Sequence, residues 1–193
     1  QSFAFNPDLQ ELYVYDDATR QLLYLDSLTL ELIRSVPVAD ISPGDVWVIW
    51  NRSTDSIIIA SEADLETGTP FVMIDRASGD VLATLSLPVI PTAFMATHPE
   101  KPLLYFNSFT DTYLVAWDMQ NYKIIRQVET SARTDRMAFL KKDNELLIAS
   151  PMEGAILRYD PETLELKGRI EASFGDRTLD IDIIAAARDK LAL

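Results

Sequence analysis

The chain alternates along its whole length between short apolar segments and short polar ones. The apolar segments are rich in Val, Ile, Leu, Tyr and Phe, and the polar ones contain Asp, Asn, Pro, Gly and Ser. This alternation is typical of β-strands joined by tight turns. The three-to-four-residue spacing of an amphipathic helix is nowhere sustained. The pattern therefore predicts an all-β protein.

One apolar segment recurs at a nearly constant interval. It reads LYV, IIIA, LLYF, LLIA and LAL, and it starts at Leu12, Ile57, Leu103, Leu146 and Leu191, at intervals of 43 to 46 residues. A fixed period of about 40 to 50 residues indicates the blades of a β-propeller. We expect the first four of these leucine and isoleucine residues to occupy equivalent strand positions in successive blades.

Two further features complete the repeat. A strand ending in aspartate follows the first landmark, at Asp26, Asp75, Asp118 and Asp160, and leads through a polar turn into another strand. Aspartate can cap such a turn by accepting hydrogen bonds from backbone N–H groups two or three residues on. Another strand and turn precede each landmark, as in FAFNPD and MATHPE. Each repeat thus contains four strands, which we label A to D from the propeller axis outwards.

The predicted fold is a single partial β-propeller of four-stranded antiparallel blades. The blades span about residues 1–38, 45–89, 92–130 and 136–172, and residues 177–193 begin a fifth. A period of about 44 residues corresponds to roughly 4.4 blades, whereas closed propellers have about four to eight. We therefore expect an incomplete ring, completed by the remaining blades of a longer chain or by a protein partner.

The NPD or HPE turn, the LYV-type strand, the strand ending in Asp and the T-x-E-hydrophobic return together resemble the YVTN-type and WD40-like bacterial β-propeller repeats. The resemblance covers nearly the whole chain. It implies that the B–C loops and the D-to-A connections open on one face, where ligands and partners bind. It also implies an extracytoplasmic location, in the bacterial periplasm or exported. Related repeats serve binding proteins, scaffolds and several enzymes, so the resemblance specifies fold more than activity.

Charge and composition narrow the possible functions. The net charge is −13, from 17 basic and 30 acidic residues, so nucleic-acid phosphates and anionic lipid head groups would be repelled. Cysteine is absent and His98 is the only histidine, which excludes a thiolate nucleophile and a multi-histidine metal site built from this chain alone. No apolar run approaches the roughly 18 residues of a membrane span. His98 occupies the repeat position of Asn6, which predicts a role in a turn rather than in catalysis.

The B–C loop of blade 2, residues 61–70, is the one candidate for a cation site. Glu62, Asp64 and Glu66 lie at alternate positions in it. Calcium takes six to eight oxygen ligands, and three carboxylates define too few. We therefore expect a solvated loop and no bound cofactor.

A group of arginines is the candidate for contact with an anion or an acidic partner. Arg133, Arg136 and Arg177 lie at D-to-A connections, near the predicted channel mouth, and guanidinium groups bind carboxylates and phosphates through paired hydrogen bonds. The alternative is structural: Arg136 and Arg177 would form ion pairs between blades with aspartates such as Asp135 and Asp176.

The three tryptophans are predicted to have a structural role. Trp47, Trp50 and Trp117 fall within strands and are interpreted as packing between blades, with ligand stacking as the alternative.

The sequence favours a non-catalytic binding or scaffold module that engages a protein partner in a larger assembly. The alternative is part of a propeller enzyme or cofactor binder, such as a calcium-dependent hydrolase or a quinoprotein-like dehydrogenase, whose active site lies partly in other blades.

Overall fold

The computed structural model describes residues 3–38, 41, 46–61, 69–87, 91–108, 112–130, 134 and 136–171. These residues form four antiparallel sheets of four strands, and each sheet is continuous in sequence. The only helical element among them is a single 3₁₀ turn, Pro151–Glu153. The predicted all-β class and the four-stranded blade are therefore confirmed. Among the described residues, no helix has the length and apolar character needed to cross a bilayer.

The strands follow one another in the predicted order within each blade. Blade 1 contains β1 (Phe3–Asn6), β2 (Glu11–Asp16), β3 (Gln21–Asp26) and β4 (Leu32–Pro37). Blade 2 contains β5 (Val46–Asn51), β6 (Ser56–Ser61), β7 (Thr69–Asp75) and β8 (Val81–Leu87). Blade 3 contains β9 (Pro91–Thr97), β10 (Leu103–Ser108), β11 (Tyr113–Asp118) and β12 (Lys123–Glu129). Blade 4 contains β13 (Met137–Leu140), β14 (Glu145–Ser150), β15 (Ala155–Tyr159) and β16 (Leu166–Glu171).

The strand register confirms the repeat and corrects one position in it. In each blade, one second-strand residue pairs with the third-strand residue that immediately precedes Asp26, Asp75, Asp118 or Asp160. That residue is Leu12, Ile57, Leu104 or Leu146. The prediction of Leu103 is wrong by one residue, because Leu103 lies opposite Asp118 itself. The apolar run of blade 3 starts one position early, at a place that is glutamate or serine in the other blades.

The hydrophobic cores form because apolar side chains on one face of each sheet pack against the neighbouring sheet. The chain divides into two compact units, Gln1–Ile90 and Pro91–Leu193. In the first, Tyr13, Tyr15 and Tyr24 of blade 1 share a buried cluster with Ile57 and Ile59 of blade 2. In the second, one face of blade 3 meets one face of blade 4 in the same way. Burial of these side chains at about 25 cal/mol per Å² is the main force holding adjacent blades together.

Candidate functional site

The turn between the third and fourth strands is capped by aspartate in every blade. Asp26 Oδ1 accepts backbone N–H groups from Leu28 and Thr29, both at 2.8 Å, and Asp75, Asp118 and Asp160 accept equivalent bonds. Such bonds favour the ionised carboxylate. The N–H of Thr163, together with Lys167, lowers the pKa of Asp160 to about 2. These aspartates have the turn-capping role that the sequence predicts.

The turn between the first and second strands has a side-chain cap in blades 1 and 2. Asn6 Oδ1 accepts from the N–H groups of Asp8, at 3.0 Å, and Leu9, at 3.4 Å. Asn51 is fully buried at the equivalent position, and its Oδ1 accepts from the N–H of Thr54 at 3.0 Å. The repeat thus uses a buried acceptor at this position.

His98 supplies the same acceptor in blade 3. Its Nδ1 accepts from the N–H groups of Glu100 and Lys101, each at 3.1 Å, so that nitrogen is unprotonated and Nε2 carries the hydrogen. The side chain is buried, and its ring centroid lies 4.6 Å from that of Phe139 in blade 4. Burial, reinforced by the positive charge of Lys101, lowers the pKa of His98. This geometry gives His98 the predicted role in a turn.

His98 therefore makes the stability of the protein depend on pH. Because the folded protein holds the neutral ring, the unfolded chain binds the proton more tightly and stability falls as pH drops below about 6.5. His98→Asn keeps the acceptor, as in blades 1 and 2, and removes the titration. We expect the melting temperature of this variant to fall less than that of the unsubstituted protein between pH 7.5 and pH 5.

His98→Leu is the matched control, because leucine occupies the equivalent position in blade 4. It removes both the acceptor and the titration. We expect it to cost about 0.5–1.5 kcal/mol per lost bond at every pH. Glu100 and Glu162, the acidic groups that act on His98, are unchanged in all three proteins. Equal acid sensitivity in the unsubstituted and His98→Asn proteins would contradict this role.

A partly buried polar network links blades 1 and 2 at the same end. Asn6 Nδ2 donates to the Tyr13 hydroxyl at 2.9 Å, and this hydroxyl donates to Glu11 Oε2 at 2.9 Å. Arg76 of blade 2 lies 3.9 Å from Glu11 and makes two hydrogen bonds, of 2.7 and 2.8 Å, to Asp55. Burial raises the pKa of Tyr13, so the phenol stays protonated. Sequence analysis missed this network, although an asparagine at the same place in two repeats was a signal for it.

The equivalent positions of blade 3 do not form this network. Tyr105 corresponds to Tyr13, and His98 corresponds to Asn6. Neither the Tyr105 hydroxyl nor His98 Nε2 has a hydrogen-bond partner within the described part of the chain, although both are buried. Leu103 stands where blade 1 has Glu11. The two units therefore use the same repeat position differently.

Exposed ion pairs connect the turns of adjacent blades. Arg52 of blade 2 lies 2.9 Å from Asp8 of blade 1, and Lys141 of blade 4 lies 3.6 Å from Glu100 of blade 3. The two pairs join equivalent positions of the repeat. Surface pairs of this kind contribute about 0–1 kcal/mol each, so they add little to the stability of the fold.

Most of the side chains predicted to form sites lie outside the described residues. This applies to Arg133 and Arg177, and to the acidic set Glu62, Asp64 and Glu66. Arg136 is described: it is half-buried, immediately precedes β13, and its carbonyl oxygen accepts from the N–H of Ala149 at 2.8 Å. The anion-contact role of the arginines stays a prediction. In the described ranges, no group of three or more Asp, Glu or His side chains is placed to hold a metal ion.

The tryptophans of blades 2 and 3 contribute to packing. Trp50 is half-buried against the core shared by blades 1 and 2, and its Nε1 lies 3.4 Å from Asp55 Oδ1. Trp117 is buried. Trp47 is half-buried. These positions support the packing interpretation for Trp50 and Trp117.

Exposed apolar side chains concentrate in blade 1. Thirteen large hydrophobic residues are exposed among the described ones, and seven of them belong to blade 1. They are Phe3, Phe5, Leu9, Leu28, Leu30, Leu32 and Ile33. Clusters of exposed apolar residues mark interaction surfaces more often than single ones do. Blade 1 is therefore the candidate binding surface of this protein.

Comparison with known proteins supports an assignment of the fold only. No protein-family model and no curated protein matches the chain. Among solved structures, 1098 chains match, which is expected of an architecture that hosts many functions. One is the apo form of AztD from Citrobacter koseri, with a TM-score of 0.66 and 18% identity over 90% of this chain. This chain spans 47% of that protein, and a likeness at this identity extends to the propeller-type fold and no further.

Proposed function

We propose that this chain is a non-catalytic β-propeller binding module that engages a protein partner within a larger assembly. The observation that carries the proposal is the concentration of seven exposed large apolar side chains in blade 1. Exposing them to water is unfavourable, since burial of one such side chain is worth about 1.5–3 kcal/mol. A protein partner that covers them would recover this free energy.

The turns of blade 1 differ from those of the other blades in a way that supports the proposal. Leu9 and Leu28 are exposed at the turn end of the blade. The residues at the position of Leu9 are threonine, lysine and aspartate in blades 2 to 4, and those at the position of Leu28 are alanine, glutamine and glutamate. A solvated turn does not require leucine, so these two residues are suited to a contact.

Affinity measurements with the partner purified from the protein's own cells test the proposal. Leu28→Ser should weaken binding about tenfold, because it removes an apolar contact worth about 1.4 kcal/mol or more. Met152→Ser is the matched control, since Met152 is as exposed as Leu28 but lies in blade 4. Apolar contact also predicts a negative heat-capacity change and weak salt dependence.

Two results would contradict the proposal. The first is a native mass equal to that of a single copy of the polypeptide under every condition tested. The second is a loss of affinity in the Met152 variant as large as that in the Leu28 variant. Strong salt dependence would instead favour the predicted contact through Arg133, Arg136 and Arg177.

A further inference from the structure

The single histidine of the chain is buried between two blades. His98 follows β9 directly and is 3% exposed. Its ring centroid lies 4.6 Å from that of Phe139 in blade 4, and Tyr105 stacks on the same phenylalanine at 6.4 Å. The imidazole therefore forms part of the boundary between blades 3 and 4, where a change in its charge affects both blades.

This site is suited to the neutral form of the ring. Nδ1 accepts hydrogen bonds from the backbone N–H groups of Glu100 and Lys101, each at 3.1 Å. A proton on Nδ1 would turn this acceptor into a third donor that faces the other two, because both nitrogens of an imidazolium carry hydrogen. Nε2 has no hydrogen-bond partner among the described residues. An uncompensated buried charge is strongly unfavourable, so we expect the protonated ring to leave the boundary.

The turn that holds the ring is also the turn that joins blade 3 to blade 4. Residues 98–102 form the turn between the first and second strands of blade 3, which we call the histidine turn. Glu100 lies 3.6 Å from Lys141 of blade 4, and Lys101 pairs with Glu162 of blade 4. The two residues whose N–H groups hold the imidazole therefore also carry the two ion pairs to the next blade. Displacement of the ring would free both residues at once.

The electrostatic surroundings favour an outward movement of the charged ring. Glu100 and Glu162 attract an imidazolium, and both carboxylates are solvent-exposed, whereas Lys101 repels it. Phe139 and Tyr105 pack in the apolar core shared by blades 3 and 4, and burial raises the pKa of Tyr105, so neither ring supplies a negative charge. The charged groups that act on His98, on Glu100 or on Tyr105 are Glu100, Lys101, Lys141, Asp160 and Glu162.

The boundary between blades 1 and 2 has the same arrangement without a titrating group. Asn6 accepts from the N–H groups of Asp8 and Leu9, as His98 does from its two neighbours. Arg52 of blade 2 pairs with Asp8, as Lys141 of blade 4 pairs with Glu100. An amide does not bind a proton near neutral pH, so this boundary should be insensitive to mild acid.

We propose that His98 is a proton-operated switch: protonation displaces its ring from the boundary and releases the histidine turn from blade 4, while blades 1 and 2 stay joined. The opening is local, and it is distinct from the loss of overall stability described above. It does not depend on whether the chain is a binding module.

The expected size of the response follows from proton linkage. In the open turn the imidazole has an ordinary pKa of about 6.5, whereas in the closed turn burial lowers the pKa of His98. The closed form is therefore favoured above about pH 6.5 and loses ground as pH falls below that value. Each pH unit between the two pKa values raises the open population up to about tenfold. Carboxylates with ordinary pKa values of about 4 stay ionised in the upper part of this range.

Amide hydrogen exchange at pH 7.5 and pH 5, corrected for the intrinsic effect of pH, tests the proposal because it reports local opening. Protection of the Glu100 and Lys101 amides should fall about tenfold at the lower pH. Protection of the Asp8 and Leu9 amides, which are bonded in the same way to Asn6, should stay constant and provides the control within the same molecule.

Nuclear magnetic resonance of the imidazole gives a second readout, and its assignment is unambiguous because the chain has one histidine. The ring resonances report protonation directly. The Overhauser contact between the rings of His98 and Phe139, whose centroids lie 4.6 Å apart at neutral pH, should disappear as the imidazole takes up its proton. His98→Asn keeps the acceptor without the titration, so its turn should retain full protection at pH 5.

Three results would overturn the proposal. The first is a protonated ring that keeps its contact with Phe139 and the protection of its two neighbours, because the closed site would then tolerate the charge. The second is an equal loss of protection at Asp8 and Leu9, which would make the opening global. The third is an undiminished pH response in His98→Asn, which would assign the effect to another group. If this variant does not fold, the comparison of the two turns in the unsubstituted protein still decides.

Discussion

Replacing Ile57 or Leu146 by alanine is expected to lower the free energy of unfolding by about 2–5 kcal/mol. Both side chains are fully buried at the same repeat position, each facing the preceding blade, and truncation would leave a cavity in a close-packed core. Leu12 holds this position in blade 1 but is only half-buried, so Leu12→Ala should cost less than about 1 kcal/mol in the isolated chain. Urea unfolding of the three variants measures the difference.

Leu12→Ala provides the control for the other two variants, because it makes the same truncation at the same repeat position. If it is as destabilising as Ile57→Ala, the half-buried position of Leu12 is contradicted.

Removing the hydroxyl of Tyr13 should lower the stability of the protein, whereas removing that of Tyr105 should not. Tyr13→Phe leaves the buried Asn6 Nδ2 without its acceptor and removes the hydrogen bond that the hydroxyl donates to Glu11, which costs about 1–3 kcal/mol. Tyr105→Phe removes a buried hydroxyl that has no partner among the described residues. It should leave stability unchanged or raise it, by up to about 1 kcal/mol. Thermal unfolding of the two single variants tests the contrast.

A double-mutant cycle provides the control. In the His98→Asn protein, the new amide can donate to the Tyr105 hydroxyl, as Asn6 does to Tyr13. Tyr105→Phe should therefore become destabilising in that background, with a coupling of about 0.5 kcal/mol or more. Additive effects of the two substitutions would show that the blade 1 arrangement cannot be rebuilt in blade 3.

Much of the fold could be predicted from the sequence, because its determinants are local. The four-strand repeat follows from apolar segments at a constant period. The turn caps at Asp26 and its counterparts follow from the hydrogen-bonding reach of aspartate along three residues of backbone. The placement of His98 in a turn follows from its repeat position, which is equivalent to that of Asn6. The error at Leu103 arose because an apolar residue at a position normally polar shifts the visible start of a strand.

The candidate site could be predicted only in part. Position in the repeat identified loop residues such as Arg136, but it could not show which neighbours a side chain meets. The network of Tyr13, Glu11 and Arg76 joins two blades across more than sixty positions of sequence, and no local pattern encodes that contact.

The sequence by itself determined the fold class, the strand order and the turn chemistry, since each depends on interactions within a few residues or within one hairpin. Only the tertiary structure decided which equivalent apolar positions are buried. Leu12, Ile57 and Leu146 carry similar side chains at the same repeat position, yet two are fully buried and one is not. The reason is physical: burial depends on whether a neighbouring sheet lies across the face, and the residue itself does not carry that information.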